Sequence, residues 1–127
     1  MPEEILKMTK ITFIFQASVS IAFGLVFLFG ELFVGIVRWP YYDPVFMRLT
    51  GMNYIGMAVL MLLSSGVKEW TKVENVVIMV IFWTILNSIV LIILQFLRYW
   101  PLINWIIIGS YMLFAVLFII VYIKQQK

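Results

Sequence analysis

The sequence contains no cysteine and no histidine, and only 12% of its residues are charged. Without these side chains the chain has no disulfide, no thiol redox pair and no zinc site built from Cys and His. The usual histidine ligand of a haem iron is also missing. The net charge of +3 is too small to indicate nucleic-acid binding. We therefore predict no metal, no cofactor, no nucleic-acid partner and no set of catalytic residues, which favours a role other than that of an enzyme.

Apolar side chains, by contrast, are abundant, because 65% of the 127 residues are hydrophobic. A soluble domain of this size leaves much of its surface in water and cannot hide so many apolar side chains. Four spans of about 20 residues each would use most of the chain. We predict one all-α membrane domain, an antiparallel bundle of four transmembrane helices over residues 11–37, 44–65, 72–97 and 101–123.

Several residue patterns mark the ends of these spans. Asp43 is a good N-cap, and Pro44 is favoured at the first helical position, where its missing N–H is not needed. Thr71 and Glu74 have the spacing of a capping box ahead of the third span. Two turns rich in Trp, Tyr and Pro, at residues 38–42 and 98–101, predict interfacial anchors at the opposite end of the bundle.

The basic residues are unevenly divided between the two sides of the predicted bundle. One side has six lysines and the other has three arginines: Lys7, Lys10, Lys68, Lys72, Lys124 and Lys127 against Arg38, Arg48 and Arg98. Because cytoplasmic loops carry an excess of Lys and Arg, this bias predicts that both termini are cytoplasmic. We expect the cell membrane of a prokaryote as the location.

Polar residues within the spans fall on particular helix faces. In lipid such side chains turn toward protein, so the polar stripe of each helix predicts its buried face. The simplest interpretation is a network of interhelical hydrogen bonds, and the alternative is a ligand cavity along the bundle axis. We assign the following residues to the structural polar network: Gln16, Ser20, Asn53, Asn87 and Ser88.

A second polar group maps to the outer half of the bundle. Arg48 lies about one turn inside an apolar helix, where an unpaired arginine is costly. Glu31 lies at a matching depth on the preceding span, which predicts an ion pair between the two. We take five residues of this half as candidate ligand-binding residues: Arg48, Glu31, Gln95, Asn104 and Tyr111.

The stretch DPVFMRLTG at residues 43–51, followed by Gly56-Met57-Ala58, resembles the start of the second helix in small DoxX-like four-helix membrane proteins. In that family an Arg and a small residue open a helix after a short outer loop. The resemblance implies a four-helix bundle, often an accessory partner of membrane redox systems with quinone as a neighbouring molecule. It carries over only Arg48 and Gly51, and it implies no catalytic activity.

Three functions remain open at this point. The first is a structural or accessory subunit of a larger membrane complex, because the chain has no nucleophile, metal cluster or acid in mid-membrane. The second is a binder of a lipid-like ligand, such as a quinone, in an outward-side polar pocket. The third is an oligomeric transporter or channel, although Gln16 and Ser20 stand where small multidrug transporters need an acid, and fluoride-channel motifs are missing. The expected partners are the lipid bilayer and either other membrane subunits or further copies of the chain.

Overall fold

The computed structural model describes residues 4–37, 43–98 and 102–126. Its four long helices are each long and apolar enough to cross a membrane. The protein is therefore an all-α, four-helix integral membrane protein, as predicted. Most of the two predicted aromatic turns, residues 38–42 and 99–101, lies outside the described residues. In chain order the elements are α1 (Lys7–Leu28), α2 (Gly30–Val37), α3 (Pro44–Ser65), a 3-10 turn (Trp70–Lys72), α4 (Glu74–Arg98) and α5 (Ile103–Gln126).

The four long helices do not pack evenly on one another. α1 packs closely against α3, α4 packs against α5, and α1 also contacts α5, whereas the backbones of α3 and α4 are not closely packed. We call the end of the bundle with Lys7, Lys68 and Lys124 the lysine end. The other end, with Glu31 and Arg48, is the ion-pair end.

Two glycines explain why α1 and α3 approach so closely. Gly24 on α1 faces Gly51 on α3, and a Cβ atom added to Gly51 would lie only 2.8 Å from the carbonyl oxygen of Gly24. Small residues are favoured between membrane helices because they let two backbones come into contact. The Gly24–Gly51 contact therefore fixes the α1–α3 pair.

The first span is broken near the ion-pair end. Phe29 has φ −102° and ψ 34°, which ends α1 before α2 resumes at Gly30. The N–H of Phe29 donates to the carbonyl oxygen of Leu25 at 3.0 Å, and that of Leu32 donates to Phe29 at 3.0 Å. The prediction of one unbroken helix over 11–37 is thus wrong. The sequence did not reveal the break, because no proline or charged residue stands at Phe29. α1 also begins earlier, at Lys7.

The helix start predicted at Asp43 is confirmed. Its carboxylate accepts hydrogen bonds from the N–H groups of Val45 at 3.0 Å and Phe46 at 3.1 Å, with Pro44 in the first turn. These bonds satisfy N–H groups that have no partner inside the helix. Asp43 therefore sets where α3 begins.

The predicted capping box, by contrast, does not form. Thr71 is an exposed residue of the 3-10 turn, and the N–H of Val73 donates to the carbonyl oxygen of Trp70 at 2.9 Å. Glu74 begins α4 and its Oε1 accepts from Nε2 of Gln126 at 2.9 Å. The tertiary contact with α5 thus replaces the local one.

Buried polar and apolar groups close the lysine end. Oε1 of the buried Gln125 accepts from Oγ1 of Thr9 and from the N–H of Leu6, each at 3.0 Å. Its Nε2 donates to the carbonyl oxygen of Glu4 at 3.0 Å. Toward the middle of the bundle the axis is filled by apolar side chains that have no exposed surface: Phe13, Met61, Val77, Val80 and Phe118.

Candidate ligand-binding cavity

A cavity of about 330 Å³ lies in the half of the bundle toward the ion-pair end. It is lined by residues of α3, α4 and α5, with Phe27 added from α1. The cavity arises because α1 holds α3 and α5 holds α4, which leaves α3 and α4 apart. Its volume is at the lower end of the range for small-molecule sites, and its wall is mostly apolar with a few polar groups. The polar groups are Asp43, Thr50, Tyr54, Asn87, Asn104 and Tyr111.

Asn104 is the most deeply buried polar side chain of this wall. It has no exposed surface, and its Nδ2 donates to Oε1 of Gln95 at 2.8 Å. Its Oδ1 has no hydrogen-bond partner among the residues that the structure describes. This oxygen has almost no accessible surface, so a molecule in the cavity would meet the less buried polar groups of the wall instead, such as Thr50 and Asn87.

Aromatic rings form the deep end of the cavity. The hydroxyl groups of Tyr54 and Tyr111 are hydrogen-bonded to each other across α3 and α5. Tyr54 stacks on Phe27 with ring centroids 5.6 Å apart, and Trp83 meets Tyr111 edge-on at 5.3 Å. Both tyrosines are therefore packed against neighbouring aromatic rings and together form one end of the cavity wall.

A second, much smaller space lies on the other side of the tyrosine pair. It measures about 10 Å³ and is lined by both tyrosines together with Gln16, Ser20 and Ser110. Nε2 of Gln16 donates to Oγ of Ser20 at 3.4 Å, while its Oε1 has no partner within the described chain. The space is close to the smallest that holds one water molecule, and its polar lining suits one.

The five candidate ligand-binding residues do not all meet in the cavity. Asn104 and Tyr111 line it, and Gln95 lies one hydrogen bond behind Asn104. Arg48 and Glu31 are not among its lining residues. They form an ion pair at 2.5 Å, which confirms the predicted pairing, and both side chains are about three-fifths exposed. Both side chains therefore lie on the exposed surface of α2 and α3, outside the cavity.

The five residues assigned to the structural polar network do not all lie in the interior of the bundle. Gln16, Ser20 and Ser88 are buried, and Asn87 lines the cavity. Asn53 lies on the exposed face of α3, so its assignment to the network is wrong. The buried face of α3 is the stripe of Gly51, Tyr54, Ala58, Met61 and Ser64.

Sequence reasoning missed Tyr54 and Thr50 as cavity residues. Tyr54 was detectable, because it lies three and four residues from Gly51 and Ala58, two small residues that recur on one helix face. Thr50 gave no such signal, since its hydroxyl donates to the carbonyl oxygen of Phe46 in its own helix at 2.9 Å. Threonines with that bond occur on any face of a membrane helix.

Family models, curated proteins and solved structures gave no match to this chain. Evidence about the function therefore comes from the geometry of the cavity. Of the two residues carried over by the DoxX-like resemblance, Gly51 lies in the contact with Gly24 and Arg48 lies in the surface ion pair.

Proposed function

We propose that this small integral membrane protein binds a small lipid-like molecule in the cavity between α3, α4 and α5. The observation that carries the proposal is the cavity of about 330 Å³, whose wall is mostly apolar and carries a few polar groups that are not fully buried, such as Asp43 and Asn87. The polar end of an amphipathic ligand would lie against these polar groups, while apolar walls such as Phe27 and Leu94 would hold its hydrocarbon part.

This proposal moves ligand binding ahead of the accessory-subunit role favoured by the sequence. A purely structural bundle would be expected to close its interior with matched polar pairs, as Gln125 does at the lysine end. A pore through one chain is disfavoured, because Phe13, Met61 and Phe118 fill the axis beyond the tyrosine pair. The cavity is therefore best suited to holding a molecule in the outer half of the bilayer.

Blocking the cavity is expected to abolish ligand binding without unfolding the protein. Leu94 lines the cavity, whereas Ile93 on the same helix does not line it and is half-exposed. In lipid nanodiscs, a diazirine-bearing octyl probe should label wild type and Ile93→Trp at cavity residues. It should fail to label Leu94→Trp there, because the indole would fill the space. Mass spectrometry of the labelled peptides gives the measurement.

Equal labelling of the cavity peptides in Leu94→Trp and Ile93→Trp would contradict the proposal, provided that both variants melt at the temperature of the wild type. Labelling confined to lipid-facing residues such as Phe82 would contradict it as well. Both results would return the accessory-subunit role to first place.

We also propose that the lysine end faces the cytoplasm, so that the cavity lies in the outer leaflet. The support is the excess of lysine at that end. The chain has no native cysteine, so single cysteines can report on the orientation. In intact cells an impermeant maleimide should modify Leu102→Cys, which is highly exposed at the ion-pair end, and should spare Thr71→Cys. The reverse pattern would place the cavity on the cytoplasmic side.

A further inference from the structure

A second large cavity lies at the lysine end, away from the one between α3, α4 and α5. It is a cleft of about 460 Å³, a volume within the range of small-molecule sites. One side of it is formed by the start of α1 and the residues before it, and the other side by the loop after α3. We call it the lysine cleft, and its lining residues are Glu4, Ile5, Lys7, Lys10, Val67 and Lys68. Lysines from two segments that are far apart in the sequence thus meet in one cleft.

Backbone contacts hold these two segments together. The N–H of Ile5 donates to the carbonyl oxygen of Lys68 at 2.9 Å, and Glu4 forms an isolated β-bridge with Glu69. The lysine side chains take no part in this pairing. The backbone therefore brings Lys7 and Lys68 to the same cleft and leaves both ammonium groups available to a ligand.

The lining of the lysine cleft has an excess of positive charge. Its three lysines are exposed, and none of them forms an ion pair within the described part of the chain. Glu4 adds one carboxylate to the lining. Each ammonium group carries three donors and no acceptor, so the cleft suits an anion with several acceptor oxygens. A phosphate group has this chemistry.

The face of α1 that continues from the lysine cleft is apolar and exposed. Ile11, Ile14 and Ile21 follow Lys7 at spacings that keep them on one helix face, and all three are exposed. Lys7 and Lys10 directly precede the uncharged run of the first span, so the cleft lies where the apolar span ends. A lipid whose headgroup occupied the cleft would have this face beside its acyl chains, whereas a soluble phosphate would make no use of it.

We propose that the lysine cleft binds the phosphate of an anionic phospholipid whose acyl chains lie along the exposed isoleucine face of α1. Lys7 would donate to the phosphate oxygens from α1 and Lys68 from the loop after α3, while Glu4 would repel the headgroup. Basic pockets at the ends of membrane helices bind anionic headgroups in this way. The site is separate from the cavity between α3, α4 and α5, and it does not depend on the proposed function.

The test measures the binding of single lipid molecules to the full-length protein. The protein in detergent micelles is titrated with phosphatidylglycerol or with phosphatidylcholine of the same acyl chains, and native mass spectrometry gives the dissociation constant of the first lipid bound. The wild type should bind phosphatidylglycerol more tightly. Lys7→Gln and Lys68→Gln should each weaken that binding about fivefold, which corresponds to about 1 kcal/mol for one basic residue at an anionic lipid. Glu4→Gln should tighten it.

Lys124→Gln is the matched control. It removes the same charge from the same end of the bundle, but Lys124 does not line the cleft, so the dissociation constant should change by less than about twofold. Equal weakening by Lys124→Gln, Lys7→Gln and Lys68→Gln would overturn the proposal, because the lysine end as a whole would then attract the lipid. Equal binding of the two lipids by the wild type, a comparison that needs no variant, would overturn it as well. Displacement of phosphatidylglycerol by an equal concentration of glycerol phosphate would refute the assignment to a lipid.

Discussion

Gly51→Ala is expected to lower the free energy of unfolding by about 1 to 3 kcal/mol, the usual cost of adding a methyl group to a packed interface. The added Cβ would lie 2.8 Å from the carbonyl oxygen of Gly24 and 2.9 Å from the backbone nitrogen of Leu28. Both near atoms belong to the backbone, so they cannot rotate away as the end of a side chain can. α1 and α3 would have to separate, and in lipid the packing between helices is the main force that holds them.

Gly56 on the same helix supplies the control. A Cβ at Gly56 meets no atom within 4 Å, so Gly56→Ala should leave the stability unchanged or raise it by up to about 1 kcal/mol through helix propensity. Unfolding in mixed micelles by increasing the fraction of sodium dodecyl sulfate, followed by tryptophan fluorescence, measures both variants. If Gly51→Ala and Gly56→Ala unfold together, the Gly24–Gly51 contact does not hold the pair of helices.

Removing either partner of the Arg48–Glu31 ion pair is expected to lower the free energy of unfolding. The two losses added together should exceed the loss caused by the double substitution. Arg48 lies four residues into α3 and Glu31 lies six residues before the end of α2, about 6 Å from the start of α3 and about 9 Å from the end of α2. At that depth the surface not covered by protein faces the headgroup region or lipid. The survivor of a single substitution is left as an uncompensated charge in a medium of low dielectric constant.

We expect Arg48→Met and Glu31→Gln each to lower the free energy of unfolding by about 1 to 2 kcal/mol, with a coupling of about 1 kcal/mol in the double-mutant cycle. Lys72 and Glu69 give a matched comparison at the lysine end. Their ion pair measures 3.1 Å and is similarly exposed, but it lies in a loop in water. Its coupling should be smaller, below about 0.5 kcal/mol.

Two results would contradict this account of the ion pair. A coupling at Arg48–Glu31 no larger than that at Lys72–Glu69 would mean that the outer pair contributes no more than a surface contact. Unchanged stability of Arg48→Met, together with loss of probe labelling, would assign Arg48 to ligand binding, which the lining of the cavity does not support.

The sequence by itself determined the number of spans, the start of α3 and the ion pair. Four long apolar runs, which contain few charged residues, indicate four membrane-spanning helices, because every backbone N–H and C=O within lipid must be bonded inside its own segment. The pairing of Arg48 with Glu31 followed from depth alone, since two charges near one turn have few alternative partners. Asp43 and Pro44 signalled the start of α3 through local chemistry, which needs no tertiary contact.

Which face of each helix meets which neighbour was decided only by the tertiary structure. In a soluble protein apolar residues mark the buried face, but here lipid and protein interior are both apolar, so only polar and small residues carry a signal. Asn53 was misplaced for this reason, and the break at Phe29 had no marker in the sequence.

The cavity itself depends on a difference between two helix contacts. Gly24 and Gly51 draw α3 toward α1, while the backbones of α3 and α4 remain apart. No periodicity within a single helix encodes that difference, because it concerns the order of neighbours around the bundle axis. Asn104 and Tyr111 were recognisable as polar residues of the outer half, but Tyr54, Thr50 and Asn87 became cavity residues only once α3 and α4 faced each other across the gap.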